Sequence, residues 1–477
     1  MLELIQDRPE FYETLRSSKR LLPTMDAYAI ELKASHEAWK QEITRRHPGS
    51  DPNCDCLRLI PGTRRLGPRL VTTPVGLAPG GGDVSMRWNL TIAIAGLMMV
   101  GAMAIADEPR FQTRPIFARE KKHNHASCLV ERPDGSLLVA WYRGTGERTA
   151  DDVQIMGARL SQGGSDWGDR FVMADTPGYP DMNPALFSAP DASLWMIWPT
   201  VLDHRWEGAL LKFAVAKTDT GPGPPVWSRE GVMHITPAPG FDQEIARGIE
   251  ALRGEKIKVN ETDVNAVSAR SKDLLYQRLG WMPRVHPTVL PSGRWLWPLY
   301  CDTFSISIVA ISDDQGTTWS TSGPIIGFGN IQPSLVRKND GTIVAFMRDN
   351  GPHHKIRLST SKDDGRTWSD AVDSALPNPG AGIEAIRLAN GHWALVYNDT
   401  SRGRHSLAVS ISTDEGATWG ATRHVERHET GQGSYHYPSI MQARDGAIHL
   451  SYTSGGHADG STIMHATFDE AWVLRGD

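Results

Sequence analysis

Three stretches decide the fold: Ser312-Asp313-Asp314-Gln315-Gly316-Thr317-Thr318-Trp319, Ser361-Lys362-Asp363-Asp364-Gly365-Arg366-Thr367-Trp368 and Ser412-Thr413-Asp414-Glu415-Gly416-Ala417-Thr418-Trp419. All follow one template, Ser-x-Asp-x-Gly-x-Thr-Trp, at spacings of 49 and 51 residues. Five fixed positions at a near-constant period indicate a repeat architecture. The mechanics are those of a turn between strands. Asp accepts from backbone N–H groups across the turn, Gly supplies a positive φ, and Trp packs back between neighbouring repeats. These Asp residues therefore do structural work and are not catalytic candidates.

Working outward, a second unit recurs ahead of each box: an apolar strand, a turn with Gly or Asp, and a very apolar strand. It occurs at 125–142, 183–198, 286–300, 332–347, 382–397 and 437–452. Each reads as a two-stranded hairpin. Each is followed by a Trp, at 167, 227, 319, 368, 419 and 472. Six units with room for four short strands each describe an all-β, six-bladed β-propeller. Residues 241–279 break the period. The spacing of Ile245, Ile249 and Leu252 predicts helix, so this segment reads as an insertion between the second and third blades.

Composition sets the outer limits. The chain has 477 residues, 40% hydrophobic and 22% charged, with net charge -5. That is globular, and it gives no support to a nucleic-acid or membrane-surface binder. Four cysteines are too few for a disulfide scaffold. Cys128 and Cys301 read as buried small hydrophobes. Residues Leu90 to Ala106 form an uncharged apolar run preceded by Arg87 and ending in small-x-small patterns. This is the pattern of a cleaved secretory signal over 86–106, implying a secreted or periplasmic protein with no membrane association after cleavage. The simplest expectation is that translation starts at Met86. Residues 1–85 are then a start-site artefact, or a disordered or helical extension, and 107–477 is the propeller.

In a propeller, the start of each inner strand and the end of its hairpin partner emerge on one face. The residues there should converge. Before the first strands stand His123, His125, Asn183, Arg284, His286, Gln332, Glu384, Tyr435, His436 and Tyr437; after the second strands stand Arg143, Asp302, Arg348, Asn398 and Arg404. Arginines from different blades suit a carboxylate, which a guanidinium grips in a bidentate fashion. The histidines are acid/base candidates, His125 above all. Asp151 and Asp152, in the loop RGTGERTADD, are candidates for the general acid of a hydrolysis. No metal motif of diagnostic spacing, phosphate loop or dinucleotide fingerprint is present, so no cofactor is implied.

The boxes resemble the Asp-box repeats of the sialidase superfamily, over about residues 114–473. The stretches HNHAS…PDG, IQPS, LPNP…G and YPSI…DG look like a sialidase-like branch common in secreted bacterial proteins. The resemblance implies an exo-acting glycoside hydrolase that releases a terminal acidic sugar. It implies a Tyr nucleophile (Tyr435, Tyr437 or Tyr452) supported by a Glu (Glu384), and an Arg set drawn from Arg284, Arg348 and Arg404. The family's Arg-Ile-Pro signature is replaced by Arg114-Pro115-Ile116. The same branch resembles rhamnosyl-glucuronate lyases, for which His125 with Arg143 or Arg348 would be the base and the charge-stabilising cation. A non-catalytic glycan-binding propeller is the third expectation. In each case the partner is an acidic glycan.

Overall fold

The computed structural model describes residues 109–219, 221–254 and 260–477. The expected signal segment and the extension before it lie outside the described residues. Strand β1 (Phe111–Pro115) comes first in the chain and is used last in the ring. Blade I is β2 (His123–Glu131), β3 (Leu137–Gly144), β4 (Gln154–Leu160) and β5 (Phe171–Ala174). Blade II is β6 (Ala185–Ser188), β7 (Leu194–Val201), β8 (Ala209–Ala216) and β9 (Arg229–Val232). In blade III, β10 (Trp281–Met282) and β11 (Thr288–Val289) share the inner position beside β12 (Trp295–Cys301), followed by β13 (Ile306–Ser312) and β14 (Ser320–Thr321). Blade IV is β15 (Asn330–Arg337), β16 (Ile343–Asp349), β17 (Lys355–Ser361) and β18 (Val372–Pro377). Blade V is β19 (Glu384–Arg387), β20 (Trp393–Tyr397), β21 (Ser406–Ser412) and β22 (Ala421–Arg427). Blade VI is β23 (Ser434–Gln442), β24 (Ile448–His457) and β25 (Gly460–Phe468), completed by β1.

The pairing Phe111↔Phe468 to Pro115↔Met464 makes β1 the outer strand of the last blade. The ring is thus closed by backbone hydrogen bonds between the two ends of the domain, and no blade edge is left open at the seam. A short helix near the C-terminus, Glu470–Leu474, adds to the closure, with Trp472 stacking on Phe111 at 4.3 Å. Inner strands touch around the axis, β2 against β6 and β23 and β19 against β15 and β23, while in blade III it is the second strand, β12, that meets β15. The six expected hairpins are all present.

The boxes work as their residues dictate. In the first, Asp314 Oδ1 accepts from the backbone N–H groups of Thr317 and Thr318, and Ser312 Oγ accepts from Gly316 N–H. Gln315, Asp364 and Glu415, each just before the box Gly, all adopt φ 57°. Gly316 itself has φ 80°, and a Cβ there would lie 2.4 Å from the Trp195 ring of the preceding blade. Glycine is therefore required both by backbone conformation and by inter-blade packing. Trp319 meets Trp195 and Trp297 at 6.4 and 6.2 Å, and Trp419 meets Phe346 of blade IV at 5.8 Å.

The insertion between blades II and III is helical, as its spacing predicts: α1 (Phe241–Gly254), α2 (Glu261–Arg270) and α3 (Leu274–Arg278). Helix α1 buries Phe241, Ile245 and Ile249 against blade III. Gly248 brings it within 2.5 Å, counted from a notional Cβ, of Ile326. With the blade III–IV loops it walls a mainly apolar cavity of about 360 Å³ that includes Phe304, Phe328 and Asn350.

Candidate active site

Three inner strands, and the segment just before a fourth, carry one backbone irregularity. Ala126, Asn183, Gln332 and Tyr437 all have positive φ (56°, 39°, 57° and 48°). Register shifts accompany three of them, at His125/Cys128, Ile331/Ser334 and His436/Ser439. Three of these residues precede proline, at Asn183-Pro184, Gln332-Pro333 and Tyr437-Pro438. A left-handed non-glycine residue costs on the order of 1–3 kcal/mol and persists only where its surroundings impose it. Bulges of this kind re-aim side chains. Here they gather polar groups at the mouth of the channel.

Tyr437 is at the centre. Its hydroxyl oxygen accepts from Gln332 Nε2 at 3.0 Å and from Arg348 Nη1 at 3.1 Å. Its ring stacks on His125 with centroids 4.5 Å apart, and the Arg284 guanidinium lies 4.7 Å from its centre. Blade V approaches the other edge so closely that a Cβ on Gly382 would lie 2.8 Å from Tyr437 Cδ1. Arg348 is steadied by Asn350 at 2.9 Å. Arg404 donates to Gly380 O and to His436 Nδ1, both at 2.6 Å. His123, His125 and His436 form a cluster, with centroids 5.4 and 5.1 Å apart along it. Burial, then the neighbouring His436, His123, Arg404 and Arg284 charges, hold His125 well below the usual imidazole range. Burial and Arg404 bring His436 down to about 3. Between blades I and VI this cluster opens into a cavity of about 360 Å³ lined by Lys121, Lys122, Arg404 and His457, with Glu147 as its one carboxylate.

One layer deeper the channel changes character. His286 Nδ1 faces Glu384 Oε1 at 2.6 Å, and Nε2 faces the Leu129 carbonyl at 2.8 Å. Both ring nitrogens meet acceptors, so the ring donates twice and is an imidazolium. Burial opposes that charge, but Cys128 and Glu384 beside it hold His286 protonated well above its ordinary value. Burial would likewise raise Glu384. The His286 charge and hydrogen bond, with the Ile440 N–H at 2.9 Å, keep its carboxyl below the usual range. Cys128, 3.5 Å from His286 Nε2, joins the group. Four blades (I, III, V and VI) are tied together at this point. His286 and Glu384 also line a cavity of about 330 Å³ with residues 334–337 and 385–387, the outgoing ends of inner strands. It lies at the opposite mouth.

Of the residues expected at the site, His123, His125, Asn183, Arg284, Gln332, Arg348, Arg404 and Tyr437 do converge. Asn183 Nδ2 reaches Tyr300 Oη at 3.3 Å. Arg284 is fully buried and donates to the Ser127 and Pro438 carbonyls, so it braces Tyr437 and does not face the mouth. His286 and Glu384 bind each other, and Tyr437 has Gln332 where a Glu partner was expected. Arg143 forms a bidentate pair with Glu120, and Asp152 caps the loop through Thr145 and Lys122. Asp151 pairs with His204 on the exposed surface. Asn398 bonds the Ser406 and Tyr435 carbonyls, while Tyr435 is packed into the core between blades V and VI. Arg114 lies on outer strand β1, away from the mouth. Tyr142, Glu147, Tyr300 and Asp302 complete the mouth and were given no role from sequence. The rule that residues just after second strands converge already contained Asp302.

Residues 280–450 match the family model described as a BNR repeat-like domain. The chain is 23% identical over 373 residues to a sialidase of Micromonospora viridifaciens, covering 72% of this chain and 51% of that protein. It is 28% identical over 192 residues to a sialidase of Paraclostridium sordellii, covering 33% and 45%. The chain thus spans about half the length of the curated relatives it matches. Among solved structures, the NanB sialidase of Streptococcus pneumoniae superposes with TM-score 0.56 at 11% identity, over 76% of this chain and 71% of that one. A protein of unknown function from Dyadobacter fermentans also superposes at 0.56, with 16% identity, over 75% of this chain and 99% of that one. At these identities the structural likenesses speak for the fold.

Proposed function

We propose that this chain, whose propeller and repeats are similar to those of sialidases, is an exo-acting glycosidase that removes a terminal acidic sugar. The observation that carries the reading is the Tyr437 oxygen, held by Arg348 and Gln332 at the channel mouth. Two N–H donors aimed at one oxygen favour negative charge developing on it, which suits an oxygen placed against an anomeric carbon as positive charge grows there. Arg348 and Arg404 flank it, and the basic cavity beside His436 suits the sugar carboxylate. The sialidase relatives support this class of substrate. The reading includes export directed by residues 86–106, which N-terminal sequencing of the native protein tests: peptides from residues 1–85 in that protein would contradict it.

A second reading has one observation of its own. His125 is kept neutral against the Tyr437 ring, and a neutral imidazole beside arginines is the base a uronate lyase needs. One experiment separates the two. The full chain is incubated with a sialoside panel and with a rhamnosyl-glucuronate glycan. Free acidic sugar is expected; an unsaturated uronate absorbing in the ultraviolet instead would establish the lyase, and binding with neither product would leave a lectin-like propeller.

A further inference from the structure

We infer that the cavity under the helical insertion is a subsite for a hydrocarbon chain, so that the substrate is an acidic sugar carried on a lipid-type aglycone; the inference rests on the glycosidase reading above. The cavity holds about 360 Å³, a size that suits a small ligand. Four of its apolar side chains are aliphatic, Ile249, Leu252, Val264 and Val267, and two are aromatic, Phe304 and Phe328. Ile249 and Leu252 stand one turn apart on α1, as do Val264 and Val267 on α2, so each helix turns one apolar face to the space. The floor is preformed. Gly329 N–H donates to Ser305 O and Asn350 N–H to Gly329 O, both at 2.7 Å, which stitches three loops together. Ser305 and Phe328 are held at φ 54° and 43°, a strained backbone of the kind that gathers at ligand sites.

The cavity adjoins the channel mouth. Its loop residues, 304–305, 328–329 and 350–353, follow second strands or precede a first strand, as the mouth residues do. Asn350 joins the two spaces. It lines the cavity, and its Oδ1 accepts from Arg348 Nη2 at 2.9 Å, while Arg348 Nη1 donates to Tyr437 Oη at 3.1 Å. The basic cavity that suits the sugar carboxylate lies between blades I and VI, across the ring from blades III and IV. A sugar seated there by its carboxylate, with its anomeric carbon at Tyr437, directs its leaving group past Arg348 toward the apolar space.

The lining selects the chemistry. A saccharide aglycone carries hydroxyls around its ring, and each one buried against aliphatic side chains without a partner is costly. Two polar groups of the lining are already engaged: Asn260 caps α2 by accepting from Thr262 N–H, and His353 pairs with Asp373. Phe304 is packed edge-on against Phe241 with centroids 5.1 Å apart, so the space offers methyl surface more than an open ring face. A flexible hydrocarbon chain fits such a surface, and each methylene taken from water adds to its binding.

The test measures kcat/KM of the full chain on glycosides of one acidic sugar with n-alkyl leaving groups from propyl to octyl, and on one with a disaccharide leaving group. Primary alcohols of this series leave with nearly equal basicity, so the series reads contact with the chain and not leaving-group chemistry. The expected result is a rise of roughly two- to fourfold per methylene until the cavity is full, with the octyl glycoside above the disaccharide. Val267→Asp sets a carboxylate into the wall, and the octyl-to-propyl ratio should then fall by about tenfold or more. Circular dichroism checks folding. If that variant does not fold, Leu252→Gln replaces it, with a fall of about threefold or more expected. A flat series, a disaccharide preferred to every alkyl glycoside, or an unchanged ratio in a folded variant overturns the inference and leaves the glycosidase reading standing. A wild type that hydrolyses none of these glycosides overturns both.

Discussion

His125 and His286 occupy the same channel, one layer apart, and carry opposite charge states. His125 is surrounded by other bases (His123, His436, Arg404 and Arg284), and burial adds to their effect, so it stays neutral. His286, partly buried, faces a carboxylate, a carbonyl and a sulfur, and it stays charged. Burial disfavours the ion in both; the partners decide. The upper layer is thereby an array of donors and neutral bases with surplus positive charge waiting for an acidic ligand. The lower layer is internally neutralised and binds blade to blade. On the proposed reading the upper layer reacts, while the lower one holds, and Glu384, although expected to assist Tyr437, belongs to the lower.

Breaking either layer should have distinct effects. His286→Ala leaves Glu384 buried without its partner, and loss of one member of such a pair costs about 3–5 kcal/mol. Urea denaturation should show that loss; a change below about 1 kcal/mol would reduce the lower layer to packing. Tyr437→Phe should do the reverse. Turnover should fall roughly 10²–10³-fold, by the measure of losing one electrostatic contact in a reaction centre. The urea midpoint should stay near the wild-type value. A variant that unfolds early would merge the two layers' roles.

pH separates them next. A raised His286 contributes stability that is full below the unfolded value near 6.5 and is lost as pH rises through its folded value. Its depressed partner Glu384 contributes stability above about 4.5, lost as pH falls through its own folded value. The gap in melting temperature between wild type and His286→Ala should therefore be widest from about pH 4.5 to 6.5 and narrow in alkali. The upper histidines act oppositely. Their lowered values cost stability as pH falls below about 6.5, down to about 3 for His436, so His436→Gln should flatten that acid decline. The smallest effect sharpens the contrast with the outer frame. Gly416→Ala, at φ 82° and 2.8 Å from Trp393, should cost about 1–3 kcal/mol and leave kcat unchanged.

The frame was legible because its signals are local. Each box closes its own turn within eight residues, and each hairpin pairs neighbours in sequence. The mouth was legible only in part, because bulges interrupt the alternation on which side-chain direction depends. Tyr435 and Tyr437 would share a face in a regular strand. The positive φ at Tyr437 and the shift at His436/Ser439 send one into the core and the other into the channel. Arg143 and Asp152 stand where the topology predicts but are occupied by Glu120 and Thr145, partners that no spacing announces. Asp302 is the converse case: it too stands where the topology predicts, just after a second strand, but no partner among the described residues occupies it.

The most direct measurement is of the ring nitrogens themselves, by ¹⁵N NMR of the histidine-labelled protein titrated from pH 5.5 to 8. The two-layer account predicts both nitrogens of His286 protonated across this range, with His125 and His436 neutral throughout. Three histidines titrating together near 6.5 would contradict it.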